Sequence, residues 1–213
     1  MTPREPGPQK IPRPPAARPG GPPPWPTHGP SGPRPRITLD DLRAAVADTE
    51  DLSELVPESP GPSAVLCAAF EERGEARIVL TRRAEWLRSH SHQVAFPGGR
   101  LEPGEKPVEA ALREAWEEVG LDPASVEIVG HLGRMATLAN PTSTIHPFVG
   151  LLPGRPQLSP NPDEVERAFD VAVADLMEEG CFREEIWGIG EDERPIHFFE
   201  LGGETIWGAT ARM

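Results

Sequence analysis

The chain has 213 residues, of which 37% are hydrophobic and 26% charged, and its formal net charge at pH 7 is −13. This length suits one well-buried domain plus a shorter segment and leaves little room for two large domains. The 28 prolines far exceed ordinary usage, so they must be concentrated in part of the chain.

The first 36 residues hold 14 of the prolines and almost no apolar clusters. Such a segment buries too little surface to offset its ordering entropy, so we predict that residues 1–36 are disordered or polyproline-like. Six basic residues and one acidic residue give this segment a charge of +5, which leaves −18 on residues 37–213. We predict that the folded domain spans 37–213, and its acidity argues against a nucleic-acid partner.

The two cysteines, Cys67 and Cys181, lie far apart and outside any metal-ligand spacing. Cys67 falls in an apolar run, which favours a buried thiol over a disulfide or a nucleophile and fits a reducing compartment. No apolar stretch approaches ~18 residues, and the N-terminus lacks the apolar centre of a secretory signal. We therefore predict a soluble cytoplasmic protein with no membrane partner; the oligomeric state stays open.

Several helices and strands are predicted along residues 37–213. The spacing of Thr38 and Asp41 predicts a capping box that opens a short helix to about Val46. Periodicity and turn residues predict a β-hairpin over 64–70 and 76–81, further strands over 94–96, 126–132, 145–151, 165–171 and 196–201, and helices over 107–119, 173–178 and from 207. Mixed strands with few helices indicate the α+β class.

Three carboxylates share one face of the predicted helix 107–119. At about 100° per residue, Glu114, Glu117 and Glu118 lie within roughly 100° of one another, opposite an apolar stripe that includes Ala111 and Val119. Like charges at this spacing repel unless Arg113 or a divalent cation compensates. Oxygen ligands without nearby His or Cys favour Mg²⁺ or Mn²⁺ over zinc.

The residues from Gly99 to Leu121 resemble the Nudix box: Gly, five residues, Glu, seven residues, Arg-Glu, two residues, Glu-Glu, one residue, Gly and an apolar residue. The resemblance implies a Nudix α/β/α sandwich around a mixed β-sheet and magnesium-dependent hydrolysis of a diphosphate linkage. By the same resemblance, Glu114, Glu117 and Glu118 hold the metal, Arg113 orients the acidic cluster, and Glu105 braces the loop. Ala115 departs from the larger aliphatic residue usual at its position.

The preceding segment, residues 80–99, resembles the coenzyme A pyrophosphatase branch of that family. This resemblance implies cleavage of coenzyme A or acyl-coenzyme A to adenosine 3′,5′-bisphosphate and 4′-phosphopantetheine. The predicted substrate contacts are Arg83, Arg88, His90, Gln93, Gly98 and Gly99. Two departures concern this branch: His92 stands where it has glycine, and 142–147 lacks its Gly-Phe character.

Other functions remain open on the sequence. Nudix enzymes often bring an extra carboxylate from a distant loop, and Glu164 is our candidate, as base or metal ligand. The substrate alternatives are ADP-ribose, NADH or a damaged nucleoside triphosphate. A non-catalytic domain that binds a nucleotide and an interaction protein acting through the proline-rich arm are the alternatives of another class.

Overall fold

We describe a computed structural model of the chain over residues 7–29, 32–49, 61–87, 91–136 and 143–213. The helices are α1 (Leu39–Ala45), α2 (Pro107–Val119), α3 (Val173–Leu176) and α4 (Gly208–Arg212). The strands are β1 (Arg18–Pro19), β2 (Ser63–Glu72), β3 (Glu75–Arg83), β4 (Val94–Ala95), β5 (Gly98–Arg100), β6 (Glu127–His131), β7 (Met135–Ala136), β8 (Thr144–Leu151), β9 (Val165–Ala172), β10 (Phe182–Trp187), β11 (Arg194–Leu201) and β12 (Glu204–Trp207). None of the described helices is long and apolar enough to cross a bilayer.

Eight of the strands form the main sheet, which has the order β4-β3-β2-β8-β6. β5 pairs with β2, β7 with β8, and β9 with β3. β2 and β8 run parallel, whereas the other pairs are antiparallel, including the predicted hairpin of β2 and β3. This mixed sheet with few helices confirms the predicted α+β class.

The two faces of the main sheet follow the alternation along β2. Leu66 and Phe70 belong to the core cluster beneath α2, while Cys67 and Ala69 belong to the cluster on the opposite face. On α2 the buried residues are those of the predicted apolar stripe together with its neighbours, so the stripe anchors the helix on the sheet. α1, α4 and part of the second sheet contribute to the cluster on the opposite face.

The second sheet has the order β1-β10-β11-β12, and three of its strands, β1, β10 and β12, were not predicted. β10 reads Phe-Arg-Glu-Glu-Ile-Trp, and its charged centre hides the strand pattern. In the structure these charges are paired: Arg183 bonds the carboxylates of Glu185 and Glu200. A strand whose charges are paired with one another and with the adjacent strand gives no local signal of alternation.

Residues 7–29, which we call the N-terminal strap, pack on the second sheet. β1 pairs with the edge strand β10, and Arg13 Nε donates to Glu185 Oε2 at 2.7 Å. The ring of Trp25 lies 5.1 Å from that of Phe182 and 6.0 Å from that of Phe199. Residues 7–29 are therefore ordered, whereas the sequence predicted disorder for 1–36. The reason is that partners about 170 residues away supply the burial and the charge that the segment itself lacks.

Two further local predictions, the capping box of α1 and the burial of Cys67, agree with the structure. Thr38 caps α1, with the Asp41 amide donating to its Oγ1 at 3.2 Å and the Asp41 carboxylate accepting from the Thr38 amide at 2.8 Å. Both Cys67 and Cys181 are buried thiols. Burial holds the pKa of the Cys67 thiol far above its usual range, so this side chain is a neutral core group and not a nucleophile.

Candidate active site

A strand, a glycine-rich loop and α2 form the frame of the site. α2 begins at Pro107, where proline lacks only an N–H that a helix does not need, and ends at Gly120, whose φ of 71° lies in the left-handed region. A Cβ on Gly98 would lie 2.3 Å from the Ala64 carbonyl oxygen, and one on Gly99 would lie 2.5 Å from the Glu114 carboxylate. Gly98 is therefore required for the loop to approach the β2 backbone so closely, whereas the nearest obstacle at Gly99 is the end of the Glu114 side chain.

Glu118 is the buried member of the acidic face, with its side chain only 3% exposed. It borders the apolar stripe of α2 and does not lie opposite it, which corrects the expectation from sequence, because Glu118 and Ala111 are seven residues apart and share one side of the helix. Burial, together with the negative charges of Glu114 and Glu164, raises the pKa of Glu118 to about 7. Two groups act in the opposite direction: the Gly98 amide donates to Glu118 Oε2 at 3.1 Å, and Arg83 Nη1 lies 3.5 Å from Glu118 Oε1. The Glu118 carboxylate is thus fixed by hydrogen bonds, but the nearby positive charge of Arg83 does not balance the surrounding negative charge.

Glu114 and Glu164 extend this negative charge. Burial raises the pKa of Glu114, Arg113 lowers it, and the charges of Glu117 and Glu164 raise it again. The loop that carries Glu164 is tied to the frame, because the Ala84 amide donates to the Glu164 carbonyl at 2.8 Å. Glu164, predicted as the distant carboxylate, therefore lies close enough for its charge to act on Glu114 and Glu118.

Arg113 connects the loop to the acidic face. Its Nε donates to Glu105 Oε1 at 2.7 Å and its Nη2 to Glu105 Oε2 at 3.0 Å, while Nη2 also reaches the Arg100 carbonyl at 3.0 Å. Nη1 donates to both Glu114 and Glu117 at 3.0 Å. Glu105 also accepts the Glu102 amide at 2.8 Å, so it links the loop to Arg113.

The donors of the acidic face suit a hard divalent cation. Glu114, Glu117, Glu118 and Glu164 offer carboxylate oxygens, which Mg²⁺ and Mn²⁺ prefer. Burial first, and then repulsion by neighbouring carboxylates, raises the pKa values of Glu114 and Glu118, and a cation would relieve the repulsion. In the part of the chain described, no three such side chains form a ready-made ligand set. Glu117 is 54% exposed and bonds Arg113, so binding requires it to turn.

The predicted substrate contacts separate into groups. Arg83, Gly98 and Gly99 lie at the acidic face, and the Gln93 carbonyl accepts the Arg83 amide at 3.0 Å. The structure thus places Gln93 beside β3 at the site. Arg88 and His90 lie outside the described residues.

His92 is not directed at the acidic face in this structure. Its φ of 57° lies in the left-handed region, where glycine is favoured, and its Nδ1 lies 3.0 Å from Glu166 Oε2. Glu166 also accepts from Arg82 at 2.8 Å, and Arg82 in turn donates to Glu204 on β12 at 2.7 Å. His92 and Arg82 thus belong to an ion-pair network that joins the two sheets.

One exposed side chain near the site was not singled out from the sequence. Trp86 is 65% exposed, and its Nε1 donates to the Asp163 carbonyl at 3.2 Å, next to Glu164. The only sequence signal is a lone tryptophan within a charged segment. Its proximity to the loop bearing Glu164 depends on the pairing of β3 with β9, which is a long-range contact.

Comparison with known proteins covers most of the chain. The NUDIX domain family matches residues 60–187. Nudix hydrolase 22, chloroplastic, of Arabidopsis thaliana is 35% identical over 162 residues, which are 72% of this chain and 53% of that protein. The uncharacterized Nudix hydrolase NudL of Photorhabdus laumondii is 38% identical over 136 residues, 63% of this chain and 71% of that protein.

Solved structures agree on the fold. A MutT/nudix family protein from Enterococcus faecalis superimposes with a TM-score of 0.52 at 16% identity, covering 83% of this chain and 66% of that one. The chain spans about half the length of the Arabidopsis relative and of Nudix hydrolase 3 from Caenorhabditis elegans. The family match over 60–187 includes the whole acidic helix and its glycine loop, and this chain belongs to the Nudix family.

Proposed function

We propose that this chain is a Nudix pyrophosphohydrolase, which uses water to cut a diphosphate linkage in a nucleoside diphosphate derivative. The observation that carries the proposal is the placement of the α2 carboxylates beside a glycine loop and an arginine, with Glu118 accepting from the Gly98 amide and lying 3.5 Å from Arg83 Nη1. The acidic positions of the Nudix box are all filled, which argues against a domain that only binds its ligand.

Glu114, Glu117 and Glu118 would hold the divalent ion, and Nudix hydrolases generally use ions such as Mg²⁺. When bound, such an ion offsets charge on the diphosphate oxygens and lowers the pKa of an attacking water. The specific choice of Mg²⁺ or Mn²⁺ is part of the proposal.

The chain's own groups position the reaction. Arg113 fixes the loop and helix relative to one another through Glu105, so the glycine amides and the carboxylates keep one geometry. Arg83 lies beside Glu118 and offers a guanidinium to a diphosphate oxygen. Glu164 supplies the additional carboxylate, as proton acceptor or as a further ligand.

Coenzyme A or an acyl-coenzyme A is the substrate we favour. The resemblance over residues 80–99 supports it, and Arg83 and Gln93 from that segment border the site. Within that segment, His92 stands where the coenzyme A pyrophosphatase branch has glycine. The ion pair of His92 with Glu166 accounts for the orientation of its side chain without a ligand.

The test is hydrolysis of coenzyme A, dephospho-coenzyme A, ADP-ribose and NADH, each with Mg²⁺, with Mn²⁺ and with EDTA. We expect coenzyme A to yield adenosine 3′,5′-bisphosphate, identified by mass spectrometry. We also expect the kcat/KM for coenzyme A to exceed the kcat/KM for each of the other three substrates. Glu118→Gln should abolish release, while Glu127→Gln, at an exposed glutamate on β6, should not. Faster cleavage of ADP-ribose or NADH would show that coenzyme A is not the preferred substrate. Tight binding of these four compounds without cleavage of any of them would refute the proposal that the chain is an enzyme.

A further inference from the structure

The loop over residues 159–164 is fixed to the C-terminal end of the acidic helix α2. The Asn161 amide donates to the backbone carbonyl of Glu118 at 2.9 Å. Asn161 then orders the rest of the loop, because its carbonyl accepts the Glu164 amide at 3.1 Å and its Oδ1 accepts the Asp163 amide at 3.1 Å. The loop therefore has a defined position beside the most deeply buried carboxylate of the site.

Trp86 is attached to this loop by one edge of its ring. Its Nε1 donates at 3.2 Å to the Asp163 carbonyl, which belongs to the peptide bond that joins Asp163 to Glu164. The Ala84 amide donates to the Glu164 carbonyl at 2.8 Å, so the turn that carries Trp86 contacts the loop at two successive residues. Arg83, three residues before Trp86, reaches the acidic face. Trp86 thus borders the candidate active site through contacts on both sides.

Most of the Trp86 ring remains open to solvent, with 65% of the residue exposed. A single exposed apolar residue is common on protein surfaces and by itself needs no ligand. Trp86 differs because its only polar atom is already bonded to the loop, so that the ring is held in one orientation and only its apolar surface is left for a partner. A fixed and exposed indole is a preformed surface for stacking.

The surroundings of Trp86 select the chemistry of that partner. The carboxylates of the acidic face repel an anionic group beside Glu164, except where a metal ion or Arg83 intervenes. A nucleobase is neutral and planar, and its π face stacks on an aromatic side chain without further hydrogen bonds. In a nucleoside diphosphate derivative the ribose separates the base from the diphosphate, so a base on Trp86 leaves the diphosphate free to contact Arg83 and the glycine loop.

We propose that Trp86 binds the nucleobase of the substrate by stacking. The identity of the substrate as a nucleoside diphosphate derivative rests on the proposed function. The assignment of Trp86 does not depend on which moiety lies on the other side of the diphosphate, and it adds a residue outside the Nudix box to the binding site.

The test measures binding of two probes that lack a cleavable diphosphate bridge, by calorimetric titration in Mg²⁺. α,β-Methylene-ADP and methylenediphosphonate share the same P–C–P group, and only the first carries adenosine. Trp86→Ala removes the ring, and Trp86→Phe keeps an aromatic ring without the N–H. Trp116→Ala is the matched control, because Trp116 is also exposed, at 54%, but lies about 160° around α2 from Glu114 and Glu118.

We expect Trp86→Ala to weaken α,β-methylene-ADP by about tenfold and to leave the Kd of methylenediphosphonate unchanged. Trp86→Phe should lose less than Trp86→Ala, since a smaller ring still stacks, and Trp116→Ala should behave as the parent chain. Stacking should also quench indole fluorescence when α,β-methylene-ADP binds to the parent chain, and this quenching should be absent in Trp86→Phe. The phenylalanine variant keeps the test decisive if Trp86→Ala does not fold.

Unchanged affinity of Trp86→Ala for α,β-methylene-ADP would overturn the proposal and leave the exposed ring to a different partner. Equal weakening of both probes would overturn it as well, because Trp86 would then only support the loop. Failure of α,β-methylene-ADP to bind the parent chain would have the same consequence. The proposed hydrolase fails on a different result, the absence of cleavage of the natural diphosphates by the parent chain, so the two failures are distinguishable.

Discussion

Replacing Arg113 by lysine should separate the geometry of the site from its charge. Lysine keeps one positive charge but offers a point donor in place of the planar fork. Arg113 makes five hydrogen bonds, two of them to Glu105 in a bidentate arrangement. A lysine at this position cannot maintain the bidentate contact together with the contacts to Glu114 and the Arg100 carbonyl.

The expected loss follows from the exposure of the partners. Glu117 is 54% exposed, so its pair with Arg113 contributes only about 0–1 kcal/mol. The Glu105 side chain is 13% exposed, and a hydrogen bond to a charged group at such a place contributes about 1.5–3 kcal/mol. Loss of the fork should therefore lower the free energy of unfolding by about 2 kcal/mol, which corresponds to roughly 4–8 °C in Tm.

Arg43→Lys is the matched control. Arg43 also makes a bidentate contact, with both nitrogens 2.8 Å from the oxygens of Glu127, but these two side chains are 46% and 61% exposed. The same substitution there should cost less than about 1 kcal/mol. Turnover should fall by roughly 10²-fold for Arg113→Lys, because the loop shifts relative to α2, and stay unchanged for Arg43→Lys.

Urea denaturation in EDTA and a double-mutant cycle with Glu105→Gln measure these effects. We expect a coupling energy between positions 105 and 113 of about 1–3 kcal/mol. Coupling near zero, or equal destabilisation by Arg113→Lys and Arg43→Lys, would refute the view that this arginine fixes the loop to the helix.

Three further predictions concern pH, backbone strain and the strap. Burial raises the pKa of Glu118 from 4.5 to about 7, so between these values the folded chain holds a proton that the unfolded chain has lost. In EDTA the free energy of unfolding should fall by about 3 kcal/mol as the pH rises through that window, and urea denaturation of Glu118→Gln should show no such slope. His92→Gly and His92→Ala both lose the contact with Glu166, but only glycine suits a φ of 57°, so the glycine variant should be more stable by about 1 kcal/mol; equal Tm values would contradict this. Deleting residues 1–29 removes the Trp25 packing, whose burial contributes about 1.5–3 kcal/mol, and should lower Tm by at least about 4 °C, whereas an unchanged Tm would show that the strap does not pack.

The features that were predictable from sequence are those whose causes are local. α2 spans Pro107–Val119 as predicted, because Pro107 and Gly120 mark its ends and the apolar stripe marks its buried face. The contact of Arg113 with Glu117 follows from their spacing of four residues. Because the Nudix box is nearly continuous in sequence, most of the acidic cluster was predictable in the same way.

The approach of Glu164 to that cluster has a different origin. It depends on the pairing of β3 with β9, which joins residues about 90 positions apart. No spacing within the segment around Glu164 indicates this pairing, so only the family resemblance suggested its role. The exposure of Trp86 beside the same loop depends on the same pairing and had no such resemblance to indicate it.

The N-terminal strap shows why composition alone was a poor guide to order. Its apolar content is too low to bury a core of its own, and that inference is correct for an isolated segment. The edge strand β10, however, offers backbone groups to Arg18 and Pro19, and a proline is tolerated at an edge because its missing donor faces outward. The acidic side chains of the second sheet complement the basic strap, as the contact of Arg13 with Glu185 shows. The order of the strap therefore depends on its contacts with the second sheet. The one sequence signal of this was the opposite charge of the two parts, +5 on residues 1–36 and −18 on residues 37–213.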